Sequence, residues 1–382
     1  MKNIAQVLPQ NLMCFSHLRW DFVFQRPQHL LTRMANFCNV YFMEEPIHDS
    51  NNEAYLAFSK RLDNLWLCVP HLPAKISKQQ TNALLTQLLD KYFQNKDLED
   101  FAFWYYTPMA LEFSAKYSPK LTIYDCMDEL SAFKFAPKEI KDLEKKLMQN
   151  ADIVFTGGNS LYEAKKNQHS NIYPFPSSID KNHFEKARKT RIEPEDQITI
   201  TGPKIGFYGV IDERFDIELI RSIAKAKPEW QLILIGPVVK IDPAILPKQS
   251  NIHYLDQKSY QELTGYLSGW DVALIPFLLN DSTRYISPTK TPEYLAAGIP
   301  VVSSPIRDVV NPYGKNKLVS IASSVEEFVE AIENELQSKR KTEWLKRVDA
   351  FLAQNSWDIT CKAMQKLMLD TMQNKDKISI AS

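Results

Sequence analysis

The chain has 382 residues, with 46 Lys plus Arg against 46 Asp plus Glu and 44% apolar residues. At roughly 150 residues per domain this length predicts two domains, and the composition excludes disordered, collagen-like and strongly cationic nucleic-acid-binding chains. Glycine is scarce: average usage of about 7% would give about 27, whereas the chain has 10, none before Gly157, which excludes a Walker-type or G-x-G-x-x-G phosphate loop from the N-terminal part.

In chain order, short apolar runs alternate with helix-period stretches. Strands are expected at 12–17, 40–45, 65–70, 101–106, 121–126 and 152–157, where compact apolar runs read as buried β-structure. Helices are expected between them at 26–37, 80–93 and 137–148. Residues 185–203 are charged, contain little that suits a core, and read as an interdomain linker. The alternation then restarts, with strands at 204–211, 230–238, 251–256, 271–277, 301–305 and 318–323 and helices near 215–226, 258–268, 290–297 and 325–338. A last amphipathic helix is expected from 357 to about 374, with Ile359, Met364, Leu367 and Met368 apolar. Strands alternating with crossover helices predict an α/β fold with largely parallel sheets. The expected division is a Rossmann-like domain over 1–184, the linker 185–203, a second Rossmann-like domain over 204–355, and a C-terminal helix and tail over 356–382 returning across the domains.

The five cysteines are widely spaced, with no C-x-x-C or Cys/His cluster, and Cys14, Cys38, Cys68 and Cys126 sit in apolar runs. They read as core residues in a reducing compartment, not as disulfides or zinc ligands. The N-terminus carries no apolar stretch of signal-peptide length. The longest clean apolar run, 272–279, is far below the ~20 residues of a membrane-spanning helix. A cytoplasmic protein with no nucleic-acid partner is expected.

In open parallel sheets, ligands bind beyond the carboxyl ends of the strands, so four strand-end segments stand out. In NDSTRYISPTKTPEYLAAGIPVVSSP (280–305), Ser287, Thr289 and Lys290 fall at the start of a short helix closed by Gly298, with Glu293 one turn along. Free N–H groups, hydroxyls and a cation there suit a phosphate; equally, Ser287 or Thr289 is an ordinary N-cap and Glu293 a solvated helix residue. In GVIDERFD (209–216), Gly209 permits close backbone approach and Arg214 can contact a diphosphate or simply pair with Asp212, Glu213 or Asp216. The loop SHLRWDFVFQRPQHL (16–30) packs His17, Arg19, Trp20, Asp21, Gln25 and Arg26 into ten positions before a helix, as a binding surface does. YDCMDELSAF (124–133) ends another strand with Asp125 and Asp128, the latter a helix cap or a site residue.

SPTKTPEYLAAGIPVVSSP resembles the donor-site signature of GT-B glycosyltransferases of the retaining, glycogen-synthase-like family 4. SHLRWDFVFQRPQHLLTRMA and YDCMDELSAF are similar to the N-terminal domain of a bacterial subgroup that includes teichuronic-acid and other cell-surface polysaccharide transferases. The likeness runs from about residue 11 to residue 370. It implies a GT-B fold, two Rossmann-like domains facing across a cleft. It also implies transfer of a sugar from a UDP- or GDP-linked donor to a glycan or lipid-linked acceptor, with retention and without a metal or other cofactor. By position, Glu293 matches the ribose-binding glutamate, Ser287, Thr289 and Lys290 the diphosphate turn, and Arg214, beyond Gly209, the basic residue after the domain's first strand. Asp128 and His17 become the expected catalytic pair, with Arg19, Trp20, Asp21 and Arg26 on the acceptor side. The sequence departs from the family at Tyr285, where a first glutamate is usual; Asp281 or Arg284 would have to substitute. The glycine-rich first loop is also replaced, by 17–26. A lipid-linked acceptor implies peripheral contact with the inner face of the membrane, for which FWYY (103–106) and KISK (75–78) are the candidate stretches, although FWYY reads first as a buried strand and the neutral net charge lends no support. Two other readings fit the same scaffold: a nucleotide-sugar epimerase, and a bilobed sugar-binding protein without activity.

Overall fold

The computed structural model describes residues 8–51, 53–189, 192–339 and 341–381. The first sheet has nine strands: β1 (Asn11–Phe15), β2 (Asn39–Met43), β3 (Ile47–Ser50), β4 (Tyr55–Leu62), β5 (Leu65–Pro73), β6 (Phe101–Tyr105), β7 (Leu121–Cys126), β8 (Ile153–Thr156) and β9 (Ile172–Pro174). Its order is β3-β5-β2-β1-β6-β7-β8-β9, all parallel, with β4 antiparallel on β5. β1, β6, β7 and β8 are almost wholly buried, which is why they read as continuous apolar runs. FWYY is the interior of this sheet, since Phe103, Trp104, Tyr105 and Tyr106 are all buried; of its two readings the buried strand holds and the membrane contact does not. KISK is largely exposed, and its Ser77 caps helix Lys78–Phe93 by accepting from the Gln80 N–H.

The second sheet has β10 (Lys204–Tyr208), β11 (Gln231–Ile235), β12 (Ile252–Tyr254), β13 (Val272–Ile275), β14 (Val301–Ser303) and β15 (Ser320–Ile321). All neighbours are parallel, in the order β12-β11-β10-β13-β14-β15. That is the Rossmann order, and it puts the topological switch beside β10. In the first sheet the order reverses at β1. The loops leaving β1 and β10 are thus where each domain presents a ligand surface.

The expected linker is more than a tether. It forms the helical turns Lys186–Lys189 and Glu195–Ile198, and Ala187 and Gln197 are buried. Gln197 accepts from the Trp270 indole N–H at 2.9 Å and donates to the Tyr266 carbonyl at 2.9 Å. Residues 190 and 191 lie outside the described residues. A helix absent from the sequence reading, Lys341–Leu352, buries Val348 and Leu352 in the second domain's core. The final helix, Trp357–Ala381, then crosses back to the first domain. Trp357, Cys361, Met364, Met368 and Met372 enter that domain's core, a spacing of three and four that lines one helix face. All five cysteines are buried and unpaired. No helix among the described residues is long and apolar enough to cross a membrane.

Candidate functional site

Between the two sheets lies a cleft of about 790 Å³, lined by the loops after β1, β7, β10 and β12 and by the segment 286–293. Its C-terminal wall centres on Gly209 and Gly236, the residues just past β10 and β11. Both have positive φ, +142° and +140°. A Cβ on Gly236 would lie 2.0 Å from the Gly209 carbonyl oxygen, and one on Gly209 would lie 2.5 Å from Lys290 Cε. Only glycine fits at either place, and its absence of bulk lets Lys290 lie across the strand end.

Lys290 opens the two-turn helix Lys290–Ala296, and Glu293 follows on the same face. Among the described residues Lys290 makes no ion pair; its Nζ stands 6.0 Å from the Tyr208 ring centroid. Burial holds its pKa below the ordinary lysine value, opposed by Glu293. Glu293 is buried and accepts a short hydrogen bond from the Tyr208 hydroxyl. Burial raises its pKa, with Lys290 and Tyr208 pulling it back down. Arg214 also lines the cleft and is held by Asp212, with Nη2 2.7 Å from Oδ2 and Nε bonding both oxygens. Arg214 is thus paired with Asp212 and at the same time lines the cleft. Ser287 and Thr289 line the same wall. Thr289 is the N-cap residue but makes no side-chain cap bond. Ser287 joins the domains, its Oγ accepting from the Ser177 N–H at 3.2 Å.

The N-terminal wall comes from the 20–26 loop and Asp128. Gln28 and Glu44 fix this loop: Gln28 donates to the Trp20 carbonyl at 2.6 Å and accepts from the Gln25 N–H at 3.0 Å, while Glu44 accepts from the Trp20 N–H at 2.7 Å. Burial raises the Asp128 pKa to about 6; Arg214, Arg26 and Lys290 act against the rise and Asp212 with it. Asp128 thus faces Arg214 and Lys290 of the opposite wall across the cleft.

Two expected site residues lie elsewhere. His17 does not line the cleft; its Nδ1 is buried without a hydrogen-bond partner, and burial, with Lys240, pushes its pKa down to about 4. Arg19 is turned away, bound to Glu44 at 2.8 Å and the Glu45 carbonyl at 2.6 Å. Arg26 lines the cleft, but its guanidinium is committed to Asp125 at 2.8 Å and to the Phe175 carbonyl at 2.7 Å. Asp21 pairs with Arg61 and Trp20 packs edge-on against Phe42. Neither Asp281 nor Arg284 substitutes for the missing glutamate: both open onto a separate depression shared with Arg307. The Asn280–Thr283 turn, closed by Asn280 Oδ1 accepting from Ser282 and Thr283, faces them outward. Among the described residues no group of three or more His, Cys, Asp or Glu is placed to hold a metal.

Residues 202–338 match the family model described as glycosyl transferases group 1. The fold covers 94% of this chain and 99% of an E. coli trehalose-6-phosphate protein bound with UDP-2-fluoro glucose, at TM-score 0.70 and 12% identity. The chain has the two-domain GT-B fold. A sucrose-phosphate synthase from Thermosynechococcus elongatus shares the architecture at TM-score 0.66 and 13% identity, over 98% of this chain and all of that one. At these identities the structures speak to fold alone. A Bacillus subtilis (strain 168) protein described as a teichuronic acid biosynthesis glycosyltransferase is 24% identical over 219 residues, 53% of this chain. The match spans 54%, about half, of that relative's length.

The GT-B cleft also contains residues that sequence reasoning did not assign. Tyr208, which holds Glu293, was read only as part of the apolar run 204–211. Gln257, in the segment after β12, donates a short hydrogen bond to the Phe22 carbonyl. Beside it, Phe24 stacks on Tyr260 at 4.4 Å. These contacts tie the two GT-B domains together at one end of the cleft.

Proposed function

We propose that the protein moves a sugar from a nucleoside-diphosphate sugar to a glycan or lipid-linked acceptor, with retention at the anomeric carbon, in cell-surface polysaccharide synthesis. One observation carries this reading: Lys290, without an ion-pair partner, lies against the glycine strand end with Glu293 buried beside it. The diphosphate would take Lys290 and Arg214, and Glu293 would accept from the ribose hydroxyls, with the base towards Gln257–Tyr260. The family match over 202–338 supports the donor site, and the teichuronic acid relative supports the cellular role.

Breaking the glycosyl–phosphate bond builds negative charge on the departing diphosphate and positive charge on the sugar ring. Cations already in place stabilise that charge without reorganising, so the mechanism assigns this work to Lys290 and Arg214 and gives a metal no part. The acceptor hydroxyl attacks from the side the phosphate leaves, and its proton passes to a phosphate oxygen. Asp128, when ionised, orients the acceptor and offsets charge on the ring. Peripheral membrane contact belongs to the proposal through a lipid-linked acceptor.

Incubation with UDP- and GDP-sugars, with free nucleoside diphosphate as the readout, tests it. Slow release is expected from a transferase even without acceptor, whereas an epimerase alters the sugar without release. Lys290→Ala and Arg214→Ala should each lower turnover about 10- to 100-fold, the worth of a charge-assisted hydrogen bond. Near wild-type turnover in both variants contradicts the donor-site assignment.

A further inference from the structure

Arg214 is bonded from its own domain and reaches the other. Asp212, 3% exposed, takes Nε on both oxygens and Nη2 on Oδ2 at 2.7 Å. Its Oδ1 also accepts from the Arg214 N–H at 3.0 Å. Nη1 makes no hydrogen bond among the described residues. On the far side, Arg214 Cζ stands 5.4 Å from the ring centroid of Phe133, which follows Asp128 in the same strand-end segment of the first domain. Asp212, Asp128 and Glu213 all act on the guanidinium. Only Asp212 bonds it; the two Glu213 oxygens are shielded and bond nothing among the described residues. Asp128 in turn is held down by Arg214 foremost, then by Arg26 and Lys290, while Asp212 pushes its pKa up. Lys240, with Nζ 5.5 Å from the same Phe133 ring, is the remaining cation at this edge.

One guanidinium therefore stands between a carboxylate of each wall, and the two pairings have different consequences. On Asp212, Arg214 stays at the second domain's wall with Lys290, and Nη1 remains for an anion. On Asp128, it would bridge the walls, occupy the first domain's carboxylate and leave Lys290 to meet an anion alone. Asp212 prevails because it lies two positions away in the chain and meets the guanidinium in a fork, so the bond needs no ordering of one domain against the other. We infer that Asp212 is a positioning residue, which by occupying Arg214 keeps an Arg214–Asp128 ion pair from closing across the cleft and so leaves Arg214 to the donor and Asp128 to the acceptor. The inference rests on the sugar-transfer reading for what those two groups do.

Calorimetry of UDP and GDP with the wild type, Asp212→Asn, Asp128→Asn and the double variant tests it. Asparagine keeps an acceptor for the Arg214 N–H and removes the charge. Asp212→Asn should weaken the nucleotide that the wild type binds at least tenfold, and Asp128→Asn should not weaken it more than about threefold. The double variant should return to within about threefold of the wild type, because no facing carboxylate is left to draw Arg214 away. In Asp212→Asn, carboxyl-carbon NMR should show Asp128 titrating below its wild-type value of about 6, as a carboxylate paired with arginine does. Asp212→Glu, which keeps the charge, should bind the nucleotide more tightly than Asp212→Asn. A double variant as weak as Asp212→Asn, an Asp128 titration that is unmoved or raised, or equal weakness of the Glu and Asn variants overturns the inference and makes Asp212 a structural prop of its turn. Failure of the wild type to bind either nucleotide counts against the transfer reading instead, and the Asp128 titration then decides the inference by itself.

Discussion

At the scale of single residues, Asp128 gives the clearest signature. Its folded-state pKa, about 6, lies above the ordinary 3.8, so the folded protein binds this proton more readily than the unfolded chain. The corresponding stability is present below about pH 4 and is lost as pH rises through about 6. Asp128→Asn should therefore stabilise the protein by about 2–3 kcal/mol at pH 8 and by almost nothing at pH 3.5, which thermal melts at the two pH values would show. Catalysis has the opposite sensitivity. If the carboxylate acts ionised, wild-type kcat/KM falls below about pH 6, and the asparagine variant, much less active, lacks that limb. A pH profile shared by both proteins would remove Asp128 from the reaction.

At the scale of elements, the loop from Ser16 to Gln25 depends on the buried ends that hold it. Arg26 and Asp125 form an ion pair with side chains 5% and 0% exposed, and losing one partner leaves a buried charge alone. Arg26→Ala should cost about 3–5 kcal/mol, seen in urea unfolding as a lower midpoint with an unchanged m-value. A cost below about 1 kcal/mol would mean that water reaches the carboxylate. The same scale separates what was legible in the sequence from what was not. β1, β6 and β7 are buried on both faces and announce themselves as apolar runs. β3 and β4 do not, because they are edge strands; β4, YLAFSKRL, exposes Tyr55, Phe58 and Leu62 and shows no inward alternation. The second domain's wall of the cleft was readable where its parts share one segment, as Ser287 to Glu293 do. Tyr208 with Glu293 and Gln257 with Phe22 are separated by 85 and 235 positions, so only the fold reveals them. His17 was misplaced because a polar residue at a strand end can face either the cleft or the sheet's own flank.

At the scale of the molecule, the C-terminal helix and one carboxylate couple the two domains. The helix supplies Met364, Met368 and Met372 to the first domain's core, each worth about 1.5–3 kcal/mol when buried. Asp308, from the second domain, accepts from the Ser160 N–H at 2.9 Å and so caps helix Asn159–Lys165 of the first. Asp308→Ala should cost about 1–2 kcal/mol, the worth of a cap, and loosen the domains, read as faster amide exchange at 159–162. Unchanged exchange there would make the contact incidental. The central claim is that the second domain binds a nucleoside diphosphate through Lys290, and isothermal titration calorimetry of UDP and GDP against uridine and guanosine tests it most directly. One diphosphate should bind the wild type at least tenfold more tightly than its nucleoside, and Lys290→Ala should erase most of that difference. Equal binding of nucleoside and diphosphate, or an unaffected Lys290→Ala, would contradict the account.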